Sequence, residues 1–427
     1  MFHSIRIITS AVLTTVASTA VAQTLSLADA IELAKRNNGV VAAAFKDYAA
    51  ARSAVVEARA AYFPTITPSY SWFEGDDGTG FARRTSGFSF DDLSVDARWL
   101  LLDGGQRQYN LARARNLADA SELSALWTLR QTLFSVIQQY YDVLRATELL
   151  SVADAEVERT KQILDSIKKR VELGDLAAKE ILQAEADYAN AIVNQITRRN
   201  QVSTSSASLK AIIGWPGDQP LAELEAPETF EPTVADITMA EAIETGLASR
   251  PDLQESKKRQ AAGRYSLLTA EQNASIDWTL SLSYSKNWEP GDTYGRSLTF
   301  LVSFPLFDGG LSRERVRQSR LSLEAGNFRL QQQERNVRSE IEAVFLSWEQ
   351  NHERLAASEA ALKAAELNYK AATESQAVGA GTILEVTNAR SALVIAETNY
   401  VQAVYDYLIS EVQLKLVMGS PVPGEDR

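Results

Sequence analysis

Cysteine is absent from the 427-residue chain. Disulfide bonds and thiolate metal sites are therefore excluded, and the acceptor for an N-terminal lipid anchor is missing. Histidine is nearly absent as well, with His3 and His352 as the two copies. The chain also lacks a Gly-x-Ser-x-Gly nucleophile motif and a phosphate-binding glycine loop. These absences predict a protein that is not an enzyme and that needs no metal or cofactor.

Proline is scarce, and its eleven copies are confined to four stretches of the chain. These stretches are 64–68, 216–251, 290–305 and 421–423. Since proline is the residue that most strongly interrupts a helix, the runs between them can be helical throughout. A helix from about Gln106 to Leu173 would be roughly 100 Å long at 1.5 Å per residue. The sequence therefore predicts an elongated molecule.

Basic residues are outnumbered, and the formal net charge of −12 argues against a nucleic-acid partner. Long apolar runs are missing beyond the N-terminus, where Ile7–Val21 follows His3 and Arg6. Ala20-Val21-Ala22 then supplies the small residues of a cleavage site. We predict a signal peptide at 1–22, cleaved after Ala22, in preference to a retained anchor. Export without disulfides suits the envelope of a Gram-negative bacterium.

The chain is a tandem duplication, because five features recur 205 residues apart. Each half contains an Asp-Gly-Gly triplet, a long proline-free run, a glycine that closes the run and a glutamate just beyond it. The paired positions are Asp103, Gly104, Gly105, Gly174 and Glu180, and Asp308, Gly309, Gly310, Gly379 and Glu385. The predicted units are 23–213 and 237–427, joined by a linker at 214–236.

Each half should begin with a capped short helix, because Ser26 and Thr238 each precede an acidic residue by three positions. Further helices are predicted at about 40–62, 177–213, 252–273 and 382–418. The long helices carry apolar residues every seven positions, which predicts packing with coiled-coil geometry. These residues are Val136, Val143, Leu150, Val157, Leu164 and Val171, then Ile341, Trp348, Leu355, Leu362 and Tyr369. The helix at about 177–213 and the helix at about 40–62, stacked end to end, would nearly match the long helix in length.

Alternation of large apolar and hydroxyl residues predicts four strands, two in each half. Ile66 to Trp72 and Trp278 to Tyr284 alternate strictly with serine and threonine. The parity of apolar residues changes between Phe90 and Val95, which indicates a β-bulge. Such strands suit a membrane barrel with lipid outside and water inside, although half-buried strands of a soluble sheet alternate too. Four strands cannot close a barrel, whereas three copies would supply twelve.

The segment Phe304-Pro-Leu-Phe-Asp-Gly-Gly310 and its partner ending at Gly105 resemble the TolC-like outer membrane efflux protein family. The resemblance implies an α+β membrane protein, a homotrimer whose long helices form an α-barrel continuous with a twelve-stranded β-barrel. It further implies the exit duct of a tripartite efflux pump or type I secretion system, with a periplasmic adaptor, an inner-membrane transporter and outer-membrane lipid as partners. The alternative is a secreted coiled-coil structural or adhesion protein without a pore, which the heptads fit equally well but the repeated strands do not.

The resemblance also assigns roles to the paired positions. Gly174 and Gly379 correspond to turns at the periplasmic mouth where the adaptor docks, and Glu385 and Glu180 to an acidic ring at the entrance. Taken without the family, these glutamates are ordinary solvated carboxylates near helix N-termini. The Asp-Gly-Gly triplets are strand-to-helix junctions without chemistry. Gly381, Gln376 and Asn388 replace the residues of the family latch, so other contacts should close this mouth.

Overall fold

The computed structural model describes residues 24–75, 88–174, 176–226, 237–272, 275–288 and 293–425. The predicted signal peptide, its cleavage site and residues 227–236 of the predicted linker lie outside the described residues. Within the described part the helices are α1 (Leu27–Asn37), α2 (Gly39–Ala60), α3 (Gln106–Glu172), α4 (Lys179–Ile213), α5 (Met239–Ser249), α6 (Pro251–Glu271), α7 (Leu311–Ala377) and α8 (Ile383–Val417). The strands are β1 (Thr65–Gly75), β2 (Phe88–Asp103), β3 (Asp277–Asn287) and β4 (Thr293–Ser303).

The duplication is visible in these elements, because α3 and α7 each span 67 residues and α4 and α8 each span 35. The predicted boundaries of the long helices are confirmed to within a few residues. Both predicted capping boxes are also present. The Asp29 amide donates to Ser26 Oγ at 3.1 Å, and the Glu241 amide donates to Thr238 Oγ1 at 3.3 Å. These hydroxyls satisfy backbone donors that a helix start leaves unpaired.

The strands form one antiparallel sheet in the order β1-β2-β3-β4. Its register places the alternating residues of all four strands in common rows, so that Pro68 is opposite Val95 and Val95 is opposite Tyr284. The neighbouring rows carry hydroxyls: Ser69 and Ser94 are hydrogen-bonded at 2.7 Å, and so are Ser283 and Ser297 at 2.6 Å. The sheet thus has an apolar face and a hydroxyl-rich face, as the alternation predicted.

The predicted position of the β-bulge was wrong. Pairing between β1 and β2 is continuous from Phe88 to Arg98, and the register shifts between Leu100 and Leu102 in the pairing with β3. Two aromatic residues near the start of β2 suggested a change of face, but an uninterrupted hydrogen-bond ladder keeps one register. The bulge lies instead where β2 leaves the sheet towards Asp103, and a bulge bends and twists a strand at such a point.

The short helices α4 and α2 stack end to end along α3, which confirms the predicted match in length. At their joint the N-cap residue of α2, Asn38, donates from Nδ2 to the carbonyl of Ile212 at 3.0 Å. Gly214 ends α4 with φ 66° and lies against Asn37. A left-handed C-cap of this kind is the ordinary role of glycine at a helix end.

The largest apolar core surrounds this joint. It is formed by α1, α3, α4 and α8, with Leu133, Ile137, Tyr140, Ile213 and Tyr405 among its members. The Tyr140 hydroxyl donates at 2.8 Å to Leu25 O and lies 2.7 Å from Glu225 O. Burial raises the pKa of Tyr140 to about 12. Residues 24–25 and 223–225 are thereby fixed to the middle of α3, which places a band of connecting chain around the helices.

The predicted heptads are confirmed, because every member of both series is buried or half-buried. Val136, Val143, Leu164 and Ile341 are the most deeply buried members. Among the described residues, no helix has the length and apolar content that would let it cross a membrane.

The segment after α8 packs against the helices and is held there by hydrogen bonds. Val422 is 2% exposed, and Glu425 accepts hydrogen bonds from the Arg130 guanidinium at 2.8 to 3.0 Å. Arg130 also donates to Gly419 O at 2.7 Å. The partners of this segment lie nearly three hundred residues away, so no local pattern in the sequence reveals them.

Candidate functional site

The candidate site is the pair of turns that joins α3 to α4 and α7 to α8. Gly174 has φ 83° and Gly379 has φ 79°, and residues that carry a side chain rarely adopt this region of backbone conformation. The Gly379 amide donates to Gln376 O at 3.1 Å, and the Gly174 amide donates to Val171 O at 3.0 Å. A methyl group added to either glycine would meet no described atom within 4 Å. Both turns are thus exposed tips whose glycines are required by backbone conformation.

The two tips lie side by side. Leu164 and Ile167 of α3 and Ala184 of α4 form a small buried cluster, and Ile383 of α8 packs against it. This contact brings Glu180 and Glu385 to the same end of the molecule.

The two glutamates nevertheless occupy different surroundings. Glu385 is exposed and completes a capping box, in which Thr382 N donates to its Oε2 at 3.0 Å. Glu180 is half-buried and lines a cavity of about 40 Å³ between the helix pairs, together with Asp187 and Arg390. Glu385 therefore has a structural role in starting α8, while Glu180 faces the groove between α3, α4 and α8.

Ion pairs connect α8 to α3 and α4 just above the tips. Arg390 of α8 is buried and bonds to Glu156 of α3, with Asp187 of α4 3.7 Å away. Next to this pair, Arg159 of α3 pairs with Glu397 of α8 at 2.5 and 2.9 Å. These groups lie at the groove that separates the two helix pairs of one chain.

Burial dominates the electrostatics of Glu156. It raises the pKa of this carboxyl, and the nearby Arg390 and Arg159 oppose that rise. The hydrogen bond from Arg159 to Glu397 raises the pKa of the guanidinium. Within the described residues, Glu156 Oε2 has no hydrogen-bond partner, which is consistent with a carboxylate only partly compensated by its neighbours.

Sequence reasoning did not find these ion-pairing residues, although a signal was present. Arg390 interrupts the apolar stripe of α8 that Val386, Ala389 and Leu393 otherwise form. Glu156 likewise interrupts a buried stripe of α3. A charged residue at a buried helical position needs a partner, and that requirement could have identified both.

Gly381, Gln376 and Asn388 are the positions that the family resemblance assigns to a latch. Gly381 N donates to Ser375 O at 3.1 Å, and Gln376 O accepts from Gly379 N at 3.1 Å within the same turn. Asn388 is exposed on α8. Among the described residues, none of the three forms an ion pair, as expected from their side chains.

The Asp-Gly-Gly triplets form matching strand-to-helix junctions. Asp103 accepts from Gly105 N at 3.1 Å and from Arg107 N at 2.9 Å, and Asp308 accepts from Gly310 N at 3.0 Å and Ser312 N at 2.8 Å. Hydrogen bonds from Ser312 lower the pKa of Asp308. Gly104, Gly105, Gly309 and Gly310 all have positive φ. The aspartates thus cap helix starts.

No group of histidine, aspartate and glutamate in the described ranges could hold a metal ion.

Comparison with known proteins agrees with this architecture. Residues 30–215 and 242–420 match the family described as outer membrane efflux protein. BepC, an outer membrane efflux protein of Brucella suis, is 24% identical over 371 residues, 84% of this chain and 78% of that protein. The outer membrane protein TolC of Vibrio cholerae is 24% identical over 408 residues, 92% of this chain and 91% of that protein.

Solved structures share the fold. The CusC channel superimposes with a TM-score of 0.81 at 16% identity and covers 92% of each chain. The Campylobacter jejuni CmeC outer membrane channel gives 0.81 at 16% identity and covers 94% of this chain and 87% of that one. The fold is that of an outer-membrane channel subunit. The chain belongs to the outer membrane efflux protein family, and it is an exit channel for an efflux or secretion system.

Proposed function

We propose that three copies of this chain close into one conduit, a twelve-stranded barrel in the outer membrane that continues as a helical tube through the periplasm. The observation that carries the proposal is the four-stranded sheet. It has one apolar and one hydroxyl-rich face, and among the described residues one edge of β1 and one edge of β4 have no partner strand. Unpaired edges in hydrocarbon cost several kcal/mol per group, so neighbouring copies must supply the missing strands.

Exposed apolar side chains support contacts between copies. They lie on α7 and β4 at one side of the chain and on α2 at the other, where α2 and β1 would meet the next copy. Leu321 and Phe328 on α7 are 56% and 68% exposed, and Val40 and Val56 on α2 are 63% and 66% exposed. Apolar area of this extent is usually covered by a partner.

The tips at Gly174 and Gly379 form the periplasmic mouth in this proposal, and a periplasmic adaptor docks there to connect an inner-membrane transporter. Glu385, exposed at the start of α8, contributes to an acidic ring at the entrance. Glu180 contributes from the groove beside Arg390. Three copies would bring six such carboxylates to one opening, which would favour cations by charge.

The ion pairs of Arg390 with Glu156 and of Arg159 with Glu397 are the contacts that hold this mouth closed in the proposal. They join the two helix pairs of a chain, so an adaptor that separates those pairs must break them. They would serve in place of Gly381, Gln376 and Asn388, whose side chains cannot form an ionic latch.

The remaining assignments complete the proposal. The channel resides in the outer membrane of a Gram-negative bacterium after cleavage following Ala22, and its repeats at 23–213 and 237–427 are joined by a girdle linker at 214–236. The absence of cysteine and the net charge of −12 support the lack of a lipid anchor and of a nucleic-acid partner.

Conductance across planar lipid bilayers tests the proposal. The wild-type channel should prefer cations, and Glu385→Ala should weaken that preference because it removes one carboxylate per copy from the entrance. Glu349→Ala, at an exposed position in the middle of α7, is the matched control and should leave selectivity unchanged. An unaltered preference in Glu385→Ala would remove its role. A protein that never conducts would favour the adhesion alternative.

A further inference from the structure

The two long helices begin with an excess of arginine. The first ten residues of α7 contain four arginines and one glutamate, and those of α3 contain three arginines and no acidic residue. This concentration contrasts with the net charge of −12 for the whole chain. The arginines are Arg313, Arg315, Arg317 and Arg320 in α7, and Arg107, Arg113 and Arg115 in α3.

Helix stability does not explain this placement. The N-terminus of a helix carries partial positive charge, which favours acidic residues in the first turn and disfavours basic ones. The helices α4, α5 and α8 follow that preference with Glu180, Glu241 and Glu385 in their first turns. The first turn of α7 also has an acidic residue, Glu314, but the arginines at 313 and 315 on either side of it outnumber it. The net charge at the start of α7 therefore opposes the dipole, and an anionic group outside the helix would supply the missing compensation.

Within the part of the chain that the structure describes, most of these guanidinium groups have no counter-ion. Arg107 is engaged, since its Nε lies 3.0 Å from Asp103 and its guanidinium stacks over Tyr62. On α7, in the part of the chain that the structure describes, Arg317 lies 3.9 Å from Glu314 with both side chains largely exposed. Arg313, Arg315 and Arg320 are exposed and form no ion pair with described residues.

The arginines of α7 occupy the two sides of the helix that no neighbouring helix covers. Val316 and Leu323 are half-buried towards α6, and Leu321 and Phe328 form the exposed apolar side already assigned to the next copy. Arg313, Arg317 and Arg320 share a third side because they are spaced by four and three residues, and Arg315 points to the opposite side. Both the outer and the inner surface of a wall one helix thick therefore carry arginine at this level.

This level adjoins the membrane-facing sheet. Between the end of β4 and the start of α7, Phe304, Leu306 and Phe307 are 55%, 89% and 90% exposed. Arg313 follows within one turn of the helix start, and Arg320 lies roughly 10 Å further along the axis at 1.5 Å per residue. Exposed aromatic residues followed by long basic side chains are typical of a membrane–water interface.

We propose that the arginines on the outer surface of the first turns of α7 bind the phosphate groups of anionic lipids in the periplasmic leaflet of the outer membrane. The inference rests on the proposed trimer, in which the apolar face of the sheet contacts lipid. The arginines then lie at headgroup depth, where each basic residue strengthens binding to an anionic surface by about fivefold. This belt would fix the depth of the channel in the membrane.

Nanodiscs that contain phosphatidylcholine with a minority of phosphatidylglycerol test the proposal. Native mass spectrometry of the released trimer would count the phosphatidylglycerol molecules retained by the wild type and by R313Q/R315Q/R317Q/R320Q. The matched control is R329Q/R335Q/R338Q/K363Q, which removes the same charge from exposed positions further along α7. We expect the first variant to lose phosphatidylglycerol enrichment by at least tenfold, and the control to keep it. High salt should reduce wild-type enrichment by screening.

Several results would overturn the proposal. One is equal phosphatidylglycerol enrichment in the wild type and the first variant, and another is an equal loss of enrichment in the control. A third is a first variant that no longer forms trimers, because that result would assign the arginines to contacts between copies. Competition by inorganic phosphate as strong as that by phosphatidylglycerol would indicate a general anion site instead. A wild type that inserts and conducts without lipid preference refutes this inference alone, whereas failure to conduct in either lipid refutes the proposed function.

Discussion

At the scale of single residues, the buried ion pair of Arg390 and Glu156 joins the two helix pairs across the groove between them. A buried ion pair gives up hydration on both sides, so its net contribution to stability is small. Loss of one partner is costly, because the remaining charge stays buried. Such a pair suits a contact that must exclude water while closed and that separates completely once opened.

Arg390→Ala should therefore weaken the groove more than Glu156→Gln. At neutral pH the arginine variant leaves Glu156 and Asp187 without their cation, and we expect a loss of about 3–5 kcal/mol in local opening free energy. Glu156→Gln removes the buried negative charge and should cost less. Hydrogen exchange of the backbone amides of α8 around Leu393 measures both, with exposed Glu359→Gln on α7 as a control that should change nothing.

The same pair gives a pH dependence of known sign. Since burial raises the pKa of Glu156, the folded groove binds this proton more readily than the unfolded chain. Its contribution to stability therefore falls as pH rises through the raised pKa. Arg390→Ala removes an influence that lowers this pKa, so its exchange protection should recover on mild acidification, while Glu156→Gln should show no such recovery. Equal losses in Arg390→Ala at neutral and mildly acidic pH would contradict this account.

The Asp-Gly-Gly junctions allow a matched comparison of two glycines. Gly104 and Gly309 have nearly the same positive φ, 62° and 67°. A methyl group on Gly104 would lie 2.1 Å from Ser275 Oγ, whereas one on Gly309 would meet no described atom within 4 Å. Gly309→Ala should lower the stability of the folded protein by about 1–2 kcal/mol, because alanine disfavours the left-handed backbone conformation. Gly104→Ala should lower it more, because its methyl group would also clash with Ser275.

Thermal dissociation of the assembled protein measures the difference. Combining Ser275→Gly with Gly104→Ala should recover part of the extra loss, because that change removes the side chain in the way. A cost for Gly309→Ala as large as that for Gly104→Ala would indicate that a neighbouring copy occupies the space beside Gly309.

At the scale of elements, the helices and strands could be predicted from sequence because their signals are local and repeated. Ser26 with Asp29 defines a helix start within four residues, and the series from Val136 to Val171 extends over a whole helix. The contacts that complete the structure join distant positions. Arg390 and Glu156 are 234 residues apart, and Arg130 and Glu425 are 295 apart. Such pairs depend on how elements assemble, and the misplaced β-bulge shows that a local reading also fails where a strand ends.

The segment after α8 should prove necessary for the joint between helices. Glu425→Ala leaves the Arg130 guanidinium, whose side chain is 9% exposed, without its carboxylate. We expect a loss of about 3–5 kcal/mol in the free energy of unfolding, as for other broken buried pairs. Glu324→Ala, at an exposed position on α7, should change little. Denaturant titration compares the two, and equal small effects would contradict the structural role of this segment.

At the scale of the whole molecule, the stacking of α4 and α2 along α3 gives a wall of even height, and the sheet continues this wall at one end. In its described part, one chain has exposed apolar sides and a sheet whose outer strand edges are unpaired. Closure by identical copies satisfies both requirements at once, because cyclic assembly uses the same pair of surfaces at every interface. The mouth, the groove and the proposed lipid belt then each recur around one axis.

Native mass spectrometry of the protein extracted from membranes in mild detergent is the most direct test. Since the described β-sheet of one chain has four strands and a closed barrel needs more, the measured mass should be that of three mature chains. A stable monomer that stays soluble without detergent would contradict the conduit.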